Sequence, residues 1–214
     1  MKKIIFLLGV ATMFFSFTRS GETYPFDKWD AATLEKANLA KDASYLSDDE
    51  KKVIYYTNLV RMNPDLFDKT FYAKYRDSTK AKETSFSRSL HNDLTTRFKP
   101  MDIVVPKEDL SAEAKDHAVD SGKSGKMGHF TSDNKSYAVR MEKFKGVYAV
   151  TSENCDYGVK DPLGIVIDLL VDEGQAAVEH RKLLLDKKQK YVGVSIQPHK
   201  KTKWTCVMDF GGDK

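Results

Sequence analysis

Between Ser47 and Val60 the chain sets Val53, Tyr56, Thr57 and Val60 on one helical face, with Ile54 widening it. Ser47-Asp48-Asp49-Glu50 ahead of that run is a capping box, a serine followed three residues later by a glutamate. Asn63-Pro64 ends the helix, because the residue before a proline is pushed out of helical geometry. Phe67, Phe71 and Tyr75 share one side of a second, short helix predicted over residues 66–75. Residues 76–87, rich in Lys, Ser and Thr, read as an exposed loop, and residues 89–98 as a further helical turn or two. Leu110, Ala114, His117 or Ala118, and Ser121 predict a helix over residues 107–121, with Gly122 as its C-terminal cap. Another short helix is predicted over residues 137–144. Asp161-Pro162 opens the next, with Asp as N-cap and Pro at the first position. Ile165, Val166, Leu169 and Leu170 are its buried face, and Gly174 is expected to break it.

Elsewhere the pattern alternates. Residues 147–155 predict a strand ending at Glu153-Asn154, and residues 191–197 and 204–210 a hairpin around a polar loop. Val104-Val105-Pro106 is an extended lead-in to the helix at residue 107. Helices, a strand, a helix and two strands, with no internal repeat, give an α+β domain whose antiparallel sheet is flanked by helices. Residues 21–46 have no clean period beyond a short helix over residues 33–40, and read as an extension packed on that domain.

The N-terminus departs from this pattern. Met1-Lys2-Lys3 precedes an apolar run from Ile4 to Phe17, and small residues flank Arg19 at Thr18 and Ser20. The run is short for a membrane span, which needs about 20 residues, and reads as a signal peptide cleaved after Ser20; an uncleaved anchor is the alternative. No cysteine follows to take a lipid. The expected division is a signal peptide over residues 1–20, an extension over 21–45 and the domain over 46–214, with the mature protein secreted or periplasmic and not membrane-spanning. Removing Lys2, Lys3 and Arg19 lowers the formal charge from +4 to +1. The basicity is therefore largely the leader's, and nothing concentrates a basic face for nucleic acid. Cys155 and Cys206 form a disulfide or are two buried thiols.

The candidate chemistry lies between Gly128 and Arg181. Gly128-His129-Phe130, Ser152-Glu153-Asn154, Asp172-Glu173-Gly174 and Glu179-His180-Arg181 hold two histidines and their acidic partners. A carboxylate at Glu153, near the end of an apolar strand, needs a hydrogen-bonded or charged partner. Glu173 and His180 are two helical turns apart if the helix continues, and Gly174 argues against that. Such a set can ligate zinc with positions open to water, or form a network in which each imidazole is oriented by a carboxylate. No His-Glu-x-x-His or Gly-x-Ser-x-Gly motif occurs. His117 reads as a packed helix residue, His91 and His199 as surface, and Trp29 and Trp204 as core.

These motifs, in their order and spacing, resemble the CAP superfamily in its bacterial SCP-like form. The resemblance runs from about Leu46 to Phe210. It is carried by Asn58-Leu59-Val60-Arg61, Leu110 with Ala114, His117 and Ala118, Gly128-His129, Glu153-Asn154, Leu170-Val171-Asp172-Glu173, His180-Arg181, Gly193-Val194 and Val207-Met208-Asp209-Phe210. It implies an α-β-α sandwich with a central antiparallel sheet, and a cleft lined by His129, Glu153, Glu173 and His180. It further implies zinc on His129 and His180 in some members, and binding of a small-molecule, lipid or peptide ligand. Ser152, Glu179 and Leu169-Leu170 depart from the family pattern, and Asp172 is the alternative to Glu173 as the fourth group. The leading expectation is a ligand-binding module. A zinc-assisted hydrolase with Glu153 or Glu173 as general base is the rival, and a structural or interaction domain the third possibility.

Overall fold

The computed structural model describes residues 25–214. Before them it describes only the backbone of a short hairpin, β1 (Thr18–Arg19) with β2 (Glu22–Thr23). The expected signal peptide therefore lies outside the described residues apart from Thr18–Arg19. Helix α1 (Ala31–Ala37) starts where Asp30 accepts from the Thr33 amide, and α2 (Asp48–Met62) starts at the expected capping box. The short helix expected over residues 66–75 is longer. Helix α3 (Pro64–Phe67), a π-helical stretch and α4 (Ala73–Thr79) follow one another without a break. The predicted exposed loop over residues 76–87 is thus partly helical. It breaks at Lys80, which is left-handed, and α5 (Ser85–Asn92) starts at a second capping box between Thr84 and Ser87.

Strand β3 (Val105–Pro106) leads into α6 (Glu108–Ser124). Gly122 is inside that helix, and Gly125 is the left-handed cap. A Cβ on Gly122 would sit 2.2 Å from the Pro198 carbonyl oxygen, so this glycine marks a close approach and not a helix end. Helix α7 (Tyr137–Met141) and strand β4 (Val150–Tyr157) follow. Helix α8 (Pro162–Val171) is capped by Asp161 as expected, but ends before Gly174, because Asp172 adopts the left-handed conformation at φ 56°. The chain closes with α9 (Glu179–Leu184), β5 (Tyr191–His199) and β6 (Lys203–Gly212).

The sheet order is β3-β5-β6-β4, antiparallel except for the two-residue parallel pairing of β3 with β5. Alternation along β6 separates two faces. Cys206, Met208 and Phe210 join Val192 and Val194 in the main core against α1, α2 and α8, together with Trp29. Val207 and Cys155 pack instead against Ala114 and Ala118 of α6. Gly193 lets α6 rest on β5, since a Cβ there would lie 2.1 Å from the Leu110–Ser111 peptide. The result is the expected α-β-α sandwich. Cys155 and Cys206 belong to clusters on opposite faces and are free, buried thiols. His199, expected at the surface, is only 4% exposed, because its ring accepts from Thr202 in the β5–β6 turn.

Two arginines lock the layers. Arg61 is fully buried and donates to the carbonyls of Asp102, Leu184, Asp186 and Gln189. Arg181, also fully buried, donates to the carbonyls of Leu170, Val171 and Phe86 and to Ser89 and Asp93. It ties α9 to α8 and α5, and so fixes the backbone on which His180 sits.

Candidate functional site

His129 is placed by the loop that leaves α6. Gly128, at φ 91°, takes a conformation that side chains disfavour. Its amide donates to the Tyr157 hydroxyl at 2.9 Å, and its carbonyl lies 3.0 Å from His117 Nε2. His117 is the packed helix residue that the sequence suggests, and it also steadies the loop. Held there, His129 Nδ1 meets Glu153 Oε1 at 2.7 Å, while 45% of its side chain stays exposed.

Glu153 is 8% exposed and engaged at both oxygens. Its Oε2 accepts from Arg140 Nη2 at 2.5 Å, and Arg140 Nη1 donates to Glu113 at 2.9 Å. Burial pushes the Glu153 carboxyl up, but the His129 hydrogen bond and the Arg140 charge outweigh it, so the group lies below its usual range. Asp209, opposite Glu153 in the strand register, is fully buried. Burial first, and the Glu153 charge second, raise its carboxyl well above the usual range.

His180 is placed by a tighter device. After α8 the chain turns through left-handed Asp172 and Gly174, and Val178 is left-handed as well, at φ 45°. A β-branched residue there is a strained outlier. The turn brings Asp172 back beneath α9. Its Oδ1 pairs with His180 Nδ1 at 2.7 Å, and its Oδ2 accepts from the His180 amide at 2.9 Å. The His180 side chain is 25% exposed. Asn154 Nδ2 donates to the His180 carbonyl at 3.1 Å.

The structure therefore brings His129 to Glu153 and His180 to Asp172, and links the two pairs through adjacent residues of β4. Glu173 is not the partner of His180. It is exposed and accepts from Thr84 Oγ1 at 2.7 Å. The acid that serves His180 is Asp172, the alternative that the sequence leaves open. Arg140, Glu113 and Asp209 escape notice in the sequence because each is an ordinary residue in an ordinary element. The one available signal is that a carboxylate at Glu153 needs a cation. Neither His129 Nε2 nor His180 Nε2 has a hydrogen-bond partner among the described residues, so those two atoms are free to ligate.

The family model described as the cysteine-rich secretory protein family, CAP, matches residues 68–210. A search of curated proteins returns no match. Two solved structures are similar. An outer surface protein from Borrelia burgdorferi is 18% identical with a TM-score of 0.44, over 53% of this chain and 80% of that one. An extracellular protein containing an SCP domain from Bacillus anthracis str. Ames is 20% identical with a TM-score of 0.43, over 59% of this chain and 36% of that one. The chain thus spans about a third of the length of the second.

Proposed function

The chain belongs to the CAP, or cysteine-rich secretory protein, family, and from that premise we propose that it is an exported ligand-binding domain whose site is built on His129 and His180. The observation that carries this reading is the paired orientation of the two rings. Each has its Nδ1 fixed by a buried carboxylate and keeps part of its side chain in solvent. His91 shares that combination through Asp68, so what sets the other two apart is their link through the adjacent β4 residues Glu153 and Asn154. Met127 and Phe130, either side of Gly128-His129, are each 53% exposed and give the site an apolar rim. Such a rim suits a ligand with an apolar portion: a lipid, a peptide or a component of the cell envelope.

A divalent cation fits these residues. Histidine ligands commonly have their other ring nitrogen held by a carboxylate, as Glu153 and Asp172 hold Nδ1 here. Zinc taken up through these Nε2 atoms would supply a Lewis acid for an anionic or carbonyl group of the ligand. The hydrolase reading is less well supported. Both Glu153 oxygens are occupied and its carboxyl lies low, which suits an orienting group better than a general base. Glu173 is engaged with Thr84.

Calorimetric titration with zinc tests this reading. The expected result is binding near one equivalent, weakened on the order of 100-fold or more in His129→Ala and in His180→Ala. If folded wild type takes up no zinc, the cation leaves the reading, and binding to lipid vesicles or peptides must carry it. Export has its own check: the N-terminal sequence of the secreted protein should begin at Gly21.

A further inference from the structure

We propose a separate, thiolate-containing metal site on the α6 side of β4, formed by His117, Glu153 and Cys155. Glu153 and Cys155 occupy alternate positions of β4 and so face the same way, toward the helix that carries His117. One ligand atom from each residue lies within 4.8 Å of the other two, and all three residues are buried. His117 Nε2 is 3.9 Å from Glu153 Oε1, and taking a metal requires it to give up its proton and its hydrogen bond to the Gly128 carbonyl. Zinc bonds of about 2.0–2.3 Å in a tetrahedral site put neighbouring ligand atoms roughly 3.3–3.8 Å apart. The cluster needs only small side-chain movements to reach that spacing.

The surroundings suit a metal. Arg140 holds Glu153 Oε2, which leaves Oε1 on the side of the two histidines. A ligating carboxylate is normally braced in this way. The Arg140 charge is itself met by Glu113 as well as Glu153, so the guanidinium does not present an unanswered positive charge to the ion. His129 Nδ1 lies 3.8 Å from Cys155 Sγ but is engaged with Glu153 Oε1, so the fourth position falls to water or an external ligand. His117 Nδ1 is buried without a partner among the described residues, so packing alone does not account for this ring. Thiolate, imidazole and carboxylate together select zinc or cobalt over calcium or magnesium. His180 takes no part and Glu153 is common to both sites, so Cys155 and His117 are the residues that tell this site from the proposed ligand site.

Cobalt titration of the reduced, metal-free protein tests it. The expected result is a near-ultraviolet thiolate-to-cobalt charge-transfer band together with the intense visible bands of four-coordinate cobalt. Cys155→Ser should abolish the charge-transfer band, and Cys155→Ser and His117→Gln should each weaken cobalt binding on the order of 100-fold. The charge-transfer band, which reports Cys155 alone, should persist in His180→Ala whatever that variant does to total cobalt uptake. X-ray absorption on the wild-type zinc form avoids any folding defect in the variants, and should show a sulfur neighbour at about 2.3 Å. A zinc shell of nitrogen and oxygen only, cobalt bound without a charge-transfer band, or no metal uptake would overturn the site. Binding lost in His180→Ala but not in Cys155→Ser would overturn it while supporting the histidine pair of the preceding section.

Discussion

Glu153 and Asn154 are neighbours in β4, yet they serve opposite faces of the sheet. On the α6 face, Glu153 meets His129, 24 residues distant in sequence, and is braced by Arg140 from a different helix. Glu113 and Asp209, whose carboxyl burial pushes up, complete a buried group of charges and acids. On the α8–α9 face, Asp172 reaches His180 eight residues away, within one turn, and Asn154 only pins the backbone. The two histidines are oriented alike, one by tertiary packing of desolvated charges and the other by local backbone geometry. The first depends on the whole fold and is costly to disturb. The second depends on a few left-handed residues and on the anchor at Arg181.

The largest expected difference between the faces comes from Arg140→Ala. It removes the cation shared by Glu113 and Glu153, leaving Glu113 to Lys143 and Glu153 to His129, and should cost about 3 kcal/mol in denaturant unfolding. A loss below about 1 kcal/mol would mean that the network is not desolvated as described. Acid should act on this face too. The Glu153 carboxyl is lowered in the folded state, so its contribution is full above the unfolded value of about 4.3 and fades as pH falls through the folded one. Asp172→Ala removes a local acceptor and should cost less, about 1.5–3 kcal/mol. It should also release the His180 ring, seen as loss of a fixed ring environment by NMR.

The opposite face offers a change of sign. Asp156 is buried against α8, and burial, with Asp168 second, pushes its carboxyl up to about 8. The folded protein thus holds a proton that the unfolded chain gives up near pH ~4. Stability from this pair should fall as pH rises between about 4 and about 8. Asp156→Asn should raise the melting temperature near the upper end of that window, by the equivalent of about 1 kcal/mol or more. A slope that stays the same in the variant would remove Asp156 from the explanation. The smallest effect belongs to Glu173→Ala, within about 0.5 kcal/mol and without consequence for metal binding, since its carboxylate meets only Thr84 at the surface.

Some of this is legible in the sequence and the rest is hidden, for physical reasons. The caps at Ser47 and Asp161 and the alternation of the β5–β6 hairpin are local signals, and they read correctly. His129, Glu153 and His180 stand out because short motifs carry them. The choice between Asp172 and Glu173 is not legible. It turns on the left-handed backbone at Asp172, which favours no residue type strongly enough to announce itself. Gly122 reads as a cap because glycine serves both helix ends and close approaches, and only the Pro198 carbonyl across the layer tells them apart. Residues 76–87 read as a loop because a surface helix of Lys, Ser and Thr has no apolar stripe. Arg140, Glu113 and Asp209 stay hidden because charge pairing across three elements leaves no period in the chain.

Buried carboxylates fix both imidazoles through Nδ1 and leave both Nε2 atoms without a partner among the described residues. Proton–nitrogen correlation NMR of the histidine rings, on metal-free protein at mildly alkaline pH where free imidazole is neutral, tests this most directly. The account predicts that His129 and His180 both carry their proton on Nδ1, with a lone pair on Nε2. Either ring found with its proton on Nε2, or exchanging freely between the two forms, would contradict it.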